Sequence, residues 1–320
     1  MRVVVTGGTG FIGRRLCIRL VERGFDVVVT SRNTKQVEQL FGQTVVAAHW
    51  DGRDADELAK ILDDGRRPAT LVNLLGENIG TGRWTEKKKR RIRDSRVKAG
   101  KAVQAAVENS SLGLKALVQG SAIGLYGADA SLRDDQIIED SAPGSGFLAQ
   151  VCEDWEASVS RLATRGVRVA YARTGAVLGA GGGMLGAMLP AFRWCLGGPI
   201  GSGEQWLSWI HLRDEVEALT FLVERDEAEG AFNLCAPGAV CMEEFSKMLG
   251  AALRRPSWFR VPEWLLRLGA GEMAEEMLLA SQRAWPERLL QCGFDFRYPE
   301  LRDALCQVLG EQGLLRAQPA

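Results

Sequence analysis

Histidine is almost absent from this sequence: His49 and His211 are its only two. Neither has a cluster of carboxylates or cysteines beside it in the chain, so a metal centre has little support. The seven cysteines (Cys17, Cys152, Cys195, Cys235, Cys241, Cys292 and Cys306) are odd in number, scattered and without a C-x-x-C pair. That pattern argues against a disulfide framework or a zinc knuckle and points to a reducing, cytoplasmic setting. Charge of one sign is missing as well, because 40 basic side chains balance 40 acidic ones. No broad electrostatic attraction then draws the chain to nucleic acid or to an anionic membrane, and any anion it binds is expected to be small. Long hydrophobic runs that would span a bilayer do not occur, and the first strand-like run begins at Arg2, leaving no room for a signal or transit segment. Internal repeats and low-complexity tracts are absent too.

What is present is a 320-residue chain, 46% hydrophobic, long enough for at least one large core. Up to about Thr174, short β-branched runs alternate with helix-period stretches, the pattern of a parallel sheet covered by helices. Strands are expected at Val3–Val5, Phe25–Thr30, Val45–His49, Thr70–Leu74, Ala116–Gln119 and Val167–Ala172. Ile12, Leu16 and Leu20 recur at helical spacing and Gly24 follows as a stop. After Gly175 come glycine-rich stretches, then helical patterns around Leu212–Glu224, Met242–Leu253, Pro262–Leu268 and Pro299–Leu309, with a strand-like Ala231–Leu234 among them. The expected architecture is α/β: a Rossmann-type doubly wound parallel sheet over 1–175, with 205–235 returning to it. Segments 176–204 and 236–320 are expected to form a smaller, mostly helical domain on the substrate side.

Gly7, Gly10 and Gly13, in Thr6-Gly7-Gly8-Thr9-Gly10-Phe11-Ile12-Gly13, stand between the first strand and the first helix. A dinucleotide pyrophosphate is bound by such a turn: one glycine allows the tight bend, one the approach of phosphate, one the packing of helix on strand. At the end of the second strand, where an NAD site carries Asp or Glu, the sequence reads Thr30-Ser31-Arg32-Asn33. With no carboxylate there, Ser31 and Arg32 are expected to bind a 2′-phosphate, so NADP(H) is favoured over NAD(H).

TGGTGFIG (6–13), VNLLGENI (72–79), GSAIGLYG (120–127) and WIHLRDEVEAL (209–219) together resemble the extended short-chain dehydrogenase/reductases, the NAD-dependent epimerase/dehydratase superfamily. FLAQVCEDWE (147–156), RTGAVLGAGGGML (173–185) and GGPIGSGEQWLSWIH (197–211) are similar to an atypical epimerase-like family with a helical C-terminal extension. The resemblance implies that Leu74, Leu75 and Gly76 after the fourth strand, and Val177, lie along the cofactor. It also exposes a departure. The usual Tyr-x-x-x-Lys pair, tyrosine as acid/base and lysine lowering its pKa, maps onto Leu148 and Cys152, and leucine cannot transfer a proton. Ser121 fills the family's serine place, and Arg96 stands where an assisting asparagine is usual.

Candidate catalytic residues are therefore Ser121, Tyr126 as a displaced proton donor, and Cys152. Each has a blander reading: aromatic packing for Tyr126, a small buried hydrophobe for Cys152. Trp206, Trp209, His211 and Asp214 are expected to arrive from the returning segment. Arg96 and Arg91 are cofactor-side cations. The rest of the run Lys87–Arg93 reads as a solvated helix face, and residues 179–186 as a flexible lid. Two functions remain open: hydride transfer on an unidentified small polar substrate, or a catalytically silent NADP(H)-responsive protein, with cell division one setting the resemblance offers. The resemblance also allows a homodimer.

Overall fold

The computed structural model describes residues 1–63, 68–129 and 135–314; the end of the expected C-terminal domain, 315–320, lies outside them. Seven strands form one parallel sheet: β1 (Arg2–Thr6), β2 (Asp26–Ser31), β3 (Val46–His49), β4 (Ala69–Asn73), β5 (Leu114–Ala122), β6 (Arg168–Thr174) and, after three short strands, β10 (Gly230–Leu234). Their order is β10-β6-β5-β4-β1-β2-β3. The short strands are β7 (Ala176–Leu178), β8 (Trp206–Leu207) and β9 (Trp209–His211); β7 pairs with β9, and β8 with β11 (Val240–Cys241). The six expected strands of the first part are all present, displaced by a residue or two at most ends and longest at β5, which runs on to include Ser121.

Strand β1 shows why two helical layers are needed. Val3 and Val5 fall in one core with Leu16 and Leu20 of helix α1 (Phe11–Glu22) and Leu219 of α7 (Leu212–Glu224). Val4, on the opposite face, falls in another with Leu58 of α3 (Ala55–Leu62) and Val103 of α4 (Glu86–Asn109). The period of two along the strand thus buries both faces, as a parallel sheet requires. Helix α2 (Thr34–Phe41) closes the β2–β3 edge, and α5 (Phe147–Ala157) packs beside α4.

A third core holds Leu185, Leu189 and Phe192 of α6 (Gly183–Arg193), Phe245 and Leu249 of α8 (Met242–Leu253) and Leu305 of α11 (Leu301–Glu311). Short helix α9 (Glu263–Ala270) and a π-helical turn at Ala274–Leu278 follow α8, whereas short helix α10 (Glu287–Gln291) packs back on β10 with Leu289 in the first core. Among the described residues no helix is long and apolar enough to cross a membrane.

The glycine-rich stretch 179–186 differs from expectation. Its second half is the start of α6, and two of its glycines are seats for a ring: an added Cβ would lie 2.9 Å from Phe11 at Gly179 and 2.7 Å at Gly182. The glycines here allow close packing on the first turn of α1 rather than freedom of a lid.

Candidate functional site

The strand order reverses between β1 and β4, and the crevice at their carboxyl ends is where this class of sheet binds ligands. Three buried side chains fix that edge. Thr6 Oγ1 donates to Asn73 Oδ1 at 2.6 Å, and Asn73 Nδ2 donates to Gln119 Oε1 at 3.0 Å, tying β1, β4 and β5 together. From there Gly7 turns with φ +74°, its Cα facing the Leu74 carbonyl so closely that a Cβ would sit 2.8 Å from that oxygen. At Gly13 a Cβ would meet the Gly7 carbonyl oxygen at 2.3 Å, so only glycine lets α1 lie this close to the turn. Helix α1 has Gly10 at its N-cap and therefore no side-chain cap. Its first N–H groups are thereby left for an anion.

Beside this turn opens a cavity of about 920 Å³ lined by Gly7, Thr9, Gly10, Leu74, Leu75 and Gly76 on the sheet side. Ser31 and Arg32 line it at the end of β2. Ser31 Oγ accepts the Asn33 N–H at 3.1 Å, which leaves the serine proton to donate elsewhere. Arg53, Lys87, Lys88, Arg90, Arg91 and Lys98 face the same space, so with Arg32 seven cations meet only three carboxylates, Asp51, Glu77 and Asp94. Two of those carboxylates are already paired: Asp94 binds Lys98 at 2.8 Å, and Glu77 binds Lys88 at 2.7 Å and Arg91 at 2.9 Å, the Lys88 hydrogen bond leading the causes that hold the Glu77 pKa low. The run expected to be a solvated face is therefore, in Lys87, Lys88 and Arg90, part of the basic wall of the cavity, alongside Arg91, which was expected on the cofactor side. Sequence spacing could not reveal this, because the wall forms only when α4 passes over the ends of β1 and β4.

Arg96 lies deeper. Its guanidinium packs against Gly76, where a Cβ would be 2.9 Å from Cζ, and over the Trp155 ring, 5.0 Å from its centroid. Nη1 donates to the carbonyls of Ile92 at 3.0 Å and Glu77 at 3.2 Å. Nε and Nη2 have no acceptor among the described residues, and burial lowers the guanidinium's pKa.

Toward β5 and β6 a polar network links six residues. Ser121 Oγ donates to Glu156 Oε1 at 2.6 Å, and Arg173 grips the same carboxylate with Nε at 2.9 Å and Nη2 at 3.0 Å. Arg173 Nη1 also donates to the Tyr126 hydroxyl at 3.0 Å, which in turn donates to Asn233 Oδ1 at 2.8 Å. The Asn233 N–H donates to Glu139 Oε1 at 3.0 Å. Burial works against the charge of Arg173, yet the Glu156 contacts raise its pKa overall. Burial likewise raises the Tyr126 and Glu139 groups.

This arrangement weakens two of the expected catalytic assignments. Tyr126 is 3% exposed with its hydroxyl engaged on both sides, the packed aromatic rather than a group open to a substrate. Cys152 is 4% exposed and burial pushes its thiol up to about 12, the behaviour of a buried hydrophobe. Leu148 and Cys152, one helical turn apart on α5, both face Gly124, so an apolar wall stands where the family's tyrosine and lysine are usual. The amide groups of Phe147 and Leu148 at the start of α5 donate to Glu276 at 2.9 and 3.0 Å, a tie from the C-terminal part that no local pattern announces.

The four residues expected from the returning segment serve the scaffold instead. Trp209 Nε1 donates to the Gly238 carbonyl at 2.7 Å, and Asp214 accepts the N–H groups of Arg297 and Tyr298 at 3.0 and 2.9 Å. His211 is bound to Gln307 at 2.7 Å and burial lowers its pKa to about 4. Trp206 lies under the Arg283 guanidinium, 4.3 Å from the ring centroid. Ile12 and Val177 pack on the first core, Phe11 on the glycine seat. Among the described residues no cluster could hold a metal ion.

A family model described as the NAD dependent epimerase/dehydratase family matches residues 3–235, and a domain of unknown function (DUF1731) matches 261–308. The epimerase family protein YfhF of Bacillus subtilis (strain 168) is 35% identical over 315 residues, 98% of this chain and 99% of that protein. A crystal structure of human epimerase family protein SDR39U1 with NADPH is 35% identical, with a TM-score of 0.84 over 97% of this chain and 99% of that one. Thermus thermophilus UDP-glucose 4-epimerase in complex with NAD, at 19% identity and a TM-score of 0.76 over 98% and 99% of the two chains, shares the fold. The glycine turn, the sheet order and a match over most of the chain lead to one conclusion: this protein belongs to the NAD dependent epimerase/dehydratase family.

Proposed function

We propose that this chain is an NADP(H)-dependent oxidoreductase acting on a small polar substrate held next to Ser121. The observation that carries the cofactor choice is the cavity beside the glycine turn, lined by seven cations, with Ser31 and Arg32 where an NAD site would carry a carboxylate. The residues fit the cofactor in three ways. Gly7 and Gly13 let the turn, β4 and α1 close on one another where any Cβ would strike backbone, α1 begins uncapped, and cations line the cavity where the adenosine end would lie. The human relative crystallised with NADPH supports the same choice. Thr9, Gly10, Phe11 and Ile12 would hold the pyrophosphate through backbone N–H groups, Leu74, Leu75 and Gly76 would flank the bridging sugars, and Arg91 and Arg96 would supply charge. Val177 would border the nicotinamide. NADP(H), when bound, supplies the hydride chemistry.

Ser121 holds the family's serine place at the carboxyl end of β5, 6% exposed, and this reading sets it against the reacting oxygen. Its proton is committed to Glu156, so the serine oxygen is presented as an acceptor and suits a substrate hydroxyl. Arg173 keeps that carboxylate in place. Seven unpaired cysteines support a reducing, cytoplasmic setting.

The apolar wall of Leu148 and Cys152 favours a second reading, a catalytically silent NADP(H)-responsive binding protein. Titration with NADPH, NADP, NADH and NAD, followed by a screen of carbonyl, alcohol and sugar-nucleotide substrates at the nicotinamide absorbance, separates the two. NADP(H) binding with turnover supports the enzyme. Binding without turnover supports the responsive protein, and no binding removes both.

A further inference from the structure

The zero net charge of the chain conceals a local surface of different character. Of the eleven large hydrophobic side chains exposed among the described residues, seven fall between positions 194 and 268. Trp194 is 80% exposed and Trp258 81%; Leu196 and Phe259 stand beside them in sequence, also exposed. The two stretches adjoin in space, since the Phe259 N–H donates to Gly197 at 3.3 Å, Val261 to Pro199 at 3.0 Å, and Arg255 Nη1 reaches Cys195 Sγ at 3.7 Å. Helix α9 follows directly, buries none of its residues, and leaves Trp264, Leu265 and Leu268 exposed. Soluble proteins scatter such residues singly, and a contiguous set marks a surface that meets something apolar.

Charge selects what that is. Arg193, Arg254 and Arg255 border the tryptophans, all three exposed, and none has a carboxylate within ion-pair distance among the described residues. Arg260 and Arg267, by contrast, are paired, with Glu243 and with Glu263 and Glu275. Exposed tryptophan beside unpaired arginine suits the boundary of a bilayer, where the indole sits at headgroup depth and the guanidinium meets lipid phosphate. A second copy of the chain meeting this face about a two-fold axis would bring the same three cations together.

We propose that the face formed by the end of α6, the 254–261 loop and α9 docks peripherally on an anionic lipid surface. The full chain is to be sedimented with vesicles of phosphatidylcholine alone and of phosphatidylcholine mixed with phosphatidylglycerol. The expected result is binding to the mixed vesicles only, weakened by salt and reduced at least about tenfold in Arg254→Glu/Arg255→Glu, with NADPH affinity unchanged. Trp258→Ala is expected to weaken it also, and quenching of wild-type tryptophan by brominated lipid reads insertion without any substitution. No binding to the anionic vesicles overturns the proposal, as does equal binding to both vesicle types. A solution dimer that Trp258→Ala converts to monomer assigns the face to a second copy and overturns it as well.

Discussion

Ser121 and Glu156 share a hydrogen bond of 2.6 Å whose direction is forced. A carboxylate held bidentately by Arg173 only accepts, so the serine proton points at Glu156 and the serine oxygen keeps its acceptor capacity. Replacing Ser121 with Ala is therefore expected to leave NADPH affinity unchanged and to lower kcat/KM on a substrate by about a hundredfold or more. Unchanged turnover would remove Ser121 from the site.

The ion pair that holds Glu156 predicts a stability effect. Arg173 and Glu156 are 11% and 15% exposed at the side chain, and Glu156→Ala would leave a buried guanidinium without its partner. The expected cost is about 3–5 kcal/mol in urea unfolding. Glu156→Gln, which keeps an acceptor, is expected to cost less. A loss below about 1 kcal/mol for the alanine variant would mean that water already solvates the pair.

Arg32 tests the cofactor choice. It is exposed at the rim of the cavity, where its planar fork suits a phosphate. Arg32→Ala is expected to weaken NADPH by roughly tenfold or more and NADH hardly at all, because only one of the two carries the 2′-phosphate. Calorimetric titration of both reads the difference, and an equal loss for the two would place Arg32 elsewhere on the nucleotide.

The glycine turn and the sheet were legible in the sequence because both rest on local rules. Gly7 to Gly13 lie within one strand-turn-helix unit, and Val3, Val4 and Val5 alternate across two cores through the period of the strand itself. The missing Tyr-x-x-x-Lys pair was legible through resemblance at Leu148 and Cys152. The rest depended on contacts between distant segments. Glu156 meets Ser121 across 35 positions and Tyr126 meets Asn233 across 107, so no spacing announces the network that immobilises them. His211 and Asp214 read as site residues because the returning segment is expected to arrive near the nicotinamide. Their actual partners, Gln307 and the amides of Arg297 and Tyr298, come from the last part of the chain and make them structural.

Cys152 offers a direct test of the apolar wall. With its thiol pushed up to about 12 by burial, almost no thiolate exists at neutral pH. A thiol reagent is expected to label exposed Cys292 quickly in the native protein, while Cys152, Cys17 and Cys235 react only on unfolding. Mass spectrometry of the labelled peptides identifies each site. Fast native labelling of Cys152 would restore it as a candidate nucleophile.

Glu215 gives the fold a pH dependence of known sign. It is wholly buried on α7, Thr174 Oγ1 donates to its Oε1 at 2.8 Å, and Oε2 has no partner. Burial pushes its carboxyl from 4.5 up to about 8, with the Thr174 hydrogen bond pulling the other way. In the unfolded chain this group ionises near its ordinary value, whereas in the fold it stays protonated up to its raised one. Between those values the native state holds the extra proton, so the contribution to stability is full below about pH 4.5 and is lost as pH rises through about 8. The loss is at most about 1.4 kcal/mol per pH unit inside that window. Glu215→Gln retains an acceptor for Thr174 and cannot ionise. Its stability relative to the wild type, from urea unfolding at about pH 5 and about pH 8, is therefore expected to improve toward the alkaline end. A difference that stays constant across the range would mean that Glu215 is ionised in the fold and that a counter-charge or water reaches Oε2.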